Sequence, residues 1–125
     1  MPALPLLVVD DNPANLKLMA VLLRGEGYEV HSADCAEAAL RVLESVVPRL
    51  IFMDIQLPGM DGLDLTRRLK ADPRTRDIVI VALTAYAMKG DHQRALDAGC
   101  DHYLAKPIDT RTFPQFVASC LQGPA

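Results

Sequence analysis

Apolar residues come in short runs along this chain, and between the runs they recur at helical spacing. The runs cover residues 6–10, 29–33, 50–54, 78–84 and 102–105. The first, third and fourth are continuous and rich in Val, Ile and Leu, the pattern of central parallel strands covered on both faces. The second and fifth are shorter and more polar, as edge strands are. Asn12 ahead of Pro13 predicts an N-cap with proline at the first helical position. Leu16, Met19, Ala20 and Leu23 then follow at helical spacing until Gly25 or Gly27. Asp34 with Glu37 three residues on predicts a capping box, the aspartate taking the Ser/Thr role. Asp61 predicts the cap of a third helix through Leu63, Arg67 and Lys70, which Asp72 and Pro73 stop. A fourth helix is predicted from Met88 to Ala98, closed by Gly99. The fifth carries Phe113, Phe116, Val117, Cys120 and Leu121 on one stripe, and Pro114 puts its start near Arg111 or Thr112.

Strand and helix alternate five times along the chain. That argues an α/β fold, a doubly wound parallel sheet with helices on both faces. Its 125 residues suffice for one domain with a real core, taken as residues 1–125, without repeat or linker. Net charge is −3 and pI near 5.5, so no overall field draws the chain to nucleic acid or to an anionic membrane. The basic cluster Arg67, Arg68 and Lys70 reads as a solvated helix face. Cys35, Cys100 and Cys120 have no metal-binding or disulfide spacing, and Cys120 falls on the apolar stripe as a small hydrophobe. A reduced, cytoplasmic protein is the expectation. His31, His92 and His102 are scattered and read as surface or edge residues.

Parallel strands bring their carboxyl ends to one rim, where ligands of such sheets collect. Asp10 and Asp11 end the first run, Asp54 the third and Thr84 the fourth, while Lys106 follows the fifth. Three carboxylates in one pocket repel, by about 4 kcal/mol per pair at about 4 Å and an effective dielectric near 20. A cation relieves this, and oxygen ligands with several waters suit Mg²⁺. Mg²⁺ with the Lys106 ammonium balances the three acids. An ammonium, a hydroxyl and a metal around one carboxylate are also the parts that hold a phosphoryl group during in-line transfer. Carboxylates can be covalent acceptors in such transfers.

These residues resemble the receiver domains of two-component response regulators. The likeness covers nearly the whole chain and consists of VVDDN, IFMDIQLPGMDG, VALTA and YLAKP, in that order. It implies a flavodoxin-like (βα)5 sheet of order 2-1-3-4-5. It implies Asp54 as phosphoacceptor, with Mg²⁺ held by Asp11, Asp54 and the Gln56 backbone carbonyl, and Asp10 assisting through a water. Lys106 would pair with the acceptor and then with a phosphoryl oxygen. Thr84 would turn its hydroxyl to that group, and Tyr103 would rotate inward as a switch. Asp61 is read as a helix cap. Gln56 and Tyr86 would tune hydrolysis, and the peptide between Lys106 and Pro107 would be cis.

The implied donor is a phosphohistidine on a sensor histidine kinase or histidine phosphotransfer protein. The implied output is a downstream protein that reads the face of helix four, strand five and helix five. LTAYAMKGD is closest to stand-alone regulators of the DivK type and to receivers attached to hybrid histidine kinases. If the chain is whole, it acts by docking or by passing phosphate on. The competing enzyme reading is a Mg²⁺-dependent phosphohydrolase with Asp54 as nucleophile. Gln56 disfavours it, because the haloacid-dehalogenase-like group carries an acid there.

Overall fold

Runs of Val, Leu, Ile and Met without polar interruption are buried on both faces, and the three such runs lie side by side in mid-sheet. The computed structural model describes residues 3–55, 61–84, 91–106 and 108–122. Its strands are β1 (Pro5–Val9), β2 (Glu29–Ala33), β3 (Leu50–Asp54), β4 (Val79–Thr84) and β5 (His102–Ala105). Its helices are α1 (Pro13–Gly25), α2 (Ala36–Ser45), α3 (Gly62–Ala71), α4 (Asp91–Ala98) and α5 (Phe113–Gln122). All neighbouring strands are parallel, in the order β2-β1-β3-β4-β5. The expected flavodoxin-like order holds, and the two polar runs are the edges. β1 closes before Asp10 and β4 opens at Val79, each one residue from the boundary read in the sequence.

Side chains alternate between two cores, as the period-two geometry of strands requires. Leu7, Val9, Ile51, Met53, Ile80 and Ala82 pack against α2, α3 and α4. Leu6, Val8, Leu50, Phe52, Val81 and Leu83 pack against α1 and α5, where the Phe52 and Phe113 rings meet at 5.4 Å.

The caps show where local chemistry decides and where it does not. The Asn12 side chain accepts from Ala14 N at 2.9 Å and Asn15 N at 3.3 Å, with Pro13 behind it as expected. Asp61 accepts from Leu63 N at 2.8 Å and opens α3. The capping box at Asp34 is not formed. The chain stays extended through Cys35 (φ −159°), which is the N-cap and makes no side-chain cap bond. Asp34 therefore lies one residue too early. α5 starts at Phe113, a residue beyond the expected start, because a turn built on Asp109 precedes it: Asp109 O accepts from Phe113 N at 3.0 Å. Pro114 sits in its first turn, where a missing N–H does no harm. Of the fourth helix, the stretch from Met88 to Gly90 lies outside the described residues, and the rest ends before Gly99 (φ 107°) as expected.

Lys70 corrects the reading of a solvated basic face. Arg67 and Arg68 are exposed, but Lys70 Nζ donates to Ile78 O at 2.8 Å, to Arg76 O at 3.1 Å and to Asp101 Oδ2 at 2.9 Å. The same carboxylate oxygen accepts from Ile80 N at 2.9 Å. Lys70 thus ties α3 to the amino-terminal ends of β4 and β5, opposite the acidic rim.

Cys35, Cys100 and Cys120 are free, and the last two are buried. Burial and the Asp101 charge push the Cys120 thiol up to about 11. Burial likewise raises Cys100, with the Thr66 hydrogen bond working against it. At pH 8 only about one Cys120 in a thousand is then thiolate, the form that reacts. A chromogenic disulfide reagent is expected to label the half-exposed Cys35 quickly in native protein, and all three thiols in guanidinium. Rapid labelling of three thiols without denaturant would contradict this packing.

Candidate functional site

A carboxylate just past a buried strand needs partners, because an unpaired buried charge is costly. Asp10 is wholly buried, Asp54 is 4% exposed and Asp11 is exposed. One oxygen from each lies within 4.8 Å of the others. The backbone fixes this convergence. Asp10 N donates to Ala33 O at 3.0 Å, Ile55 N to Leu83 O at 3.1 Å and Lys106 N to Thr84 O at 2.7 Å. Each bond extends the sheet ladder by a step beyond a strand end, so the loops leave the rim from fixed positions.

Lys106 stands between two of the acids. Its Nζ lies 2.8 Å from Asp10 Oδ2 and 3.2 Å from Asp54 Oδ2. Burial disfavours its charge, but the hydrogen bond to Asp10 and the charges of Asp54 and Asp10 outweigh that, so its pKa is raised above the ordinary lysine value. It stays an ammonium throughout the physiological range, and its charge contribution fades only as pH rises past that raised value. Lys106 is thus paired with Asp54, as the family resemblance implies, and its shorter contact goes to Asp10.

Asp10 has further donors that periodicity did not reveal. Its Oδ1 accepts from Asn12 N at 2.9 Å, and its Oδ2 accepts from the Asn15 side-chain amide as well as from Lys106. The available signal was weak: Asn15 stands three residues after the cap Asn12, in the first turn of α1, beside the paired acids.

Thr84 is wholly buried at the end of β4. By strand alternation it shares the face of Ala82, which packs toward α3 and α4 and pairs in register with Tyr103. Tyr103 is half-buried on that side of β5. Thr84 and Tyr103 therefore lie on one face of adjacent strands. Gln56, Tyr86 and Pro107 lie outside the described residues.

Gly62 supplies the tightest approach. A Cβ built on it would lie 2.0 Å from the Asp54 carbonyl oxygen and 2.9 Å from the Asp54 carbonyl carbon. The first turn of α3 thus rests directly on the backbone of Asp54.

Three acids against one ammonium leave an excess of two negative charges, which a divalent cation balances. Asp10 already has both oxygens engaged by protein donors. Asp11 and Asp54 are the better direct ligands of a hard ion, with Asp10 suited to act through a water. The donor set fits Mg²⁺, and among the described residues no His or Cys joins it.

The family model described as response regulator receiver domain matches residues 6–118. The polar-differentiation response regulator DivK of Brucella ovis is 41% identical over 115 residues, covering 92% of this chain and 94% of DivK. The receiver domain of a sensor histidine kinase from Pseudomonas aeruginosa, solved with magnesium coordinated in its active-site cleft, superposes with a TM-score of 0.87. It is 34% identical, over 97% of this chain and 99% of that one. A CheY-like receiver domain protein from Methanospirillum hungatei is 30% identical, with a TM-score of 0.87 over 96% and 94% of the two chains.

Proposed function

The chain belongs to the response regulator receiver domain family, and from that premise we propose that Asp54 accepts a phosphoryl group from a phosphohistidine on a partner protein. The chain is a signalling domain of two-component systems, whose receivers interact with histidine kinases and phosphotransfer proteins. The observation that carries the residue assignment is the contact set at the rim: three carboxylates within 4.8 Å, with Lys106 3.2 Å from Asp54.

A carboxylate oxygen of Asp54 attacks phosphorus, and the bond from phosphorus to the histidine nitrogen breaks, its electron pair leaving with the imidazole. Asp11, Asp54 and the Gln56 carbonyl would hold Mg²⁺, with Asp10 assisting through a water. When bound, the ion offsets charge on the phosphoryl oxygens. The Lys106 ammonium moves from the carboxylates to a phosphoryl oxygen, and the Thr84 hydroxyl donates to another. Both are charge-assisted hydrogen bonds, stronger than neutral ones. Tyr103 follows Thr84 inward, which changes the surface of α4, β5 and α5 that a downstream protein reads. The common face of Thr84, Ala82 and Tyr103 supports this coupling.

Among the described residues no helix is long and apolar enough to cross a membrane. Together with three free thiols, this fits our assignment to the cytoplasm. Likeness to the kinase-borne receiver of Pseudomonas aeruginosa supports a second context, a receiver module within a longer hybrid kinase, with the same chemistry.

With acetyl phosphate and Mg²⁺, intact mass is expected to rise by one phosphoryl group, and EDTA is expected to abolish the gain. Steady turnover of phosphate esters without a labelled protein would favour the hydrolase reading instead. Mg²⁺ without a phosphodonor is expected to raise the thermal midpoint, since binding to the folded site alone stabilises by about 2.7 kcal/mol at a hundred times Kd. Failure of millimolar Mg²⁺ to move the midpoint would remove the metal from the scheme.

A further inference from the structure

Asp10 Oδ2 is a wholly buried carboxylate oxygen with two donors, the Lys106 ammonium at 2.8 Å and the Asn15 amide. Chemistry fixes how that amide is turned. Its nitrogen also faces the Met19 sulfur at 3.5 Å, and the opposite orientation would set a carbonyl oxygen against a carboxylate. Asn15 is itself held in place, because its N–H donates to the capping oxygen of Asn12 at 3.3 Å. The Asn12 N–H in turn donates to Asp10 Oδ1 at 2.9 Å. One short segment therefore grips both oxygens of Asp10 independently of Lys106.

This matters because Lys106 has two duties. In the unmodified protein it pairs with Asp10 and Asp54, and in the reaction proposed above it must turn to the incoming phosphoryl group. Its departure would remove one of the two donors to a buried oxygen, and a buried carboxylate left unsatisfied is heavily penalised. We propose that Asn15 is a positioning residue that keeps Asp10 Oδ2 hydrogen-bonded while Lys106 is released to the phosphoryl group. The inference rests on Asp54 being the acceptor. It adds a residue outside the acidic cluster that sets how readily the lysine is released.

Two variants test it: Asn15→Leu, which keeps the side chain's size, and Asn15→Ala, which removes the amide alone. Labelling by acetyl phosphate at saturating Mg²⁺ is expected to slow by about tenfold in both, in line with losing one hydrogen bond to a charged group. The Mg²⁺ affinity, read from thermal-shift titration, is expected to stay within about threefold, since the amide acts through Lys106 and not through the ion. A metal-free stability cycle with Lys106→Met supplies a readout that needs no activity. Because the two donors share one oxygen, the double variant is expected to lose at least about fivefold more in folding equilibrium constant than the product of the single losses. A residue that merely tethers α1 would give additive losses and unchanged labelling, and that result overturns the proposal. A wild-type protein that takes no phosphoryl group overturns the acceptor reading with it. Normal labelling of wild type and of both Asn15 variants overturns this inference alone.

Discussion

Asp54→Asn is expected to abolish the phosphoryl mass gain while leaving the metal-free protein folded and more stable than the original. The first effect follows from chemistry, since an amide oxygen is too weak a nucleophile to replace a carboxylate that attacks phosphorus. The second follows from charge. Within 4.8 Å, repulsion from Asp10 and Asp11 is about 3.5 kcal/mol each at an effective dielectric near 20. Attraction to Lys106 at 3.2 Å returns about 5 kcal/mol on the same scale. On this scale the two repulsions together exceed the attraction to Lys106, and burial adds to the cost of the charge. The neutral variant keeps an oxygen that Lys106 can donate to. Its thermal midpoint without Mg²⁺ is therefore expected to rise by several degrees, and its gain on adding Mg²⁺ to shrink. Labelling of the variant at the normal level would move the acceptor elsewhere. A lower midpoint in EDTA would mean that the lysine outweighs the two neighbouring acids.

Gly62→Ala is expected to destabilise the protein by about 3 kcal/mol, although propensity alone says the reverse. Alanine is favoured over glycine in a helix by about 0.5–1 kcal/mol. At Gly62 the new methyl would lie 2.0 Å from the Asp54 carbonyl oxygen, a backbone atom that cannot turn aside. Either α3 or the end of β3 must shift, which is the situation of an overpacked core. Asp54 would move with it, so labelling at that residue is expected to fall alongside stability. Gly25→Ala is the internal control. No atom lies within 4 Å of a Cβ there, so the ordinary helix gain of about 0.5–1 kcal/mol is expected. Chemical denaturation of the two variants gives opposite signs if the contact is real, and the same sign if propensity governs both.

Which parts of this were legible beforehand depends on the range of the interaction. The three central strands were readable because unbroken apolar runs such as LLVV and LIFM suit only a position covered on both faces, and the two shorter, more polar runs read as edges. Asn12 and Asp61 were readable as caps because a cap is a contact between residues two or three apart. The capping box at Asp34 failed at that same range, since Cys35 keeps the chain extended for one more residue. Lys70 misled because its partner Asp101 is brought near only by the packing of α3 along β4 and β5. The rim residues were legible through strand order, which parallel topology converts into position, and their roles came from the family likeness.

By itself the sequence determined the order and kind of the elements, and hence that Asp10, Asp11, Asp54, Thr84 and Lys106 share one edge. Local periodicity and right-handed parallel connections suffice for that. The tertiary structure decided the distances. It set Lys106 closer to Asp10 than to Asp54, placed the Asn15 amide on the same oxygen as the lysine, and left no room at Gly62. The two lysine contacts differ by tenths of an ångström and join groups far apart along the chain. Such margins are fixed only when two packed helical layers close on the sheet, and no spacing of residue types encodes them.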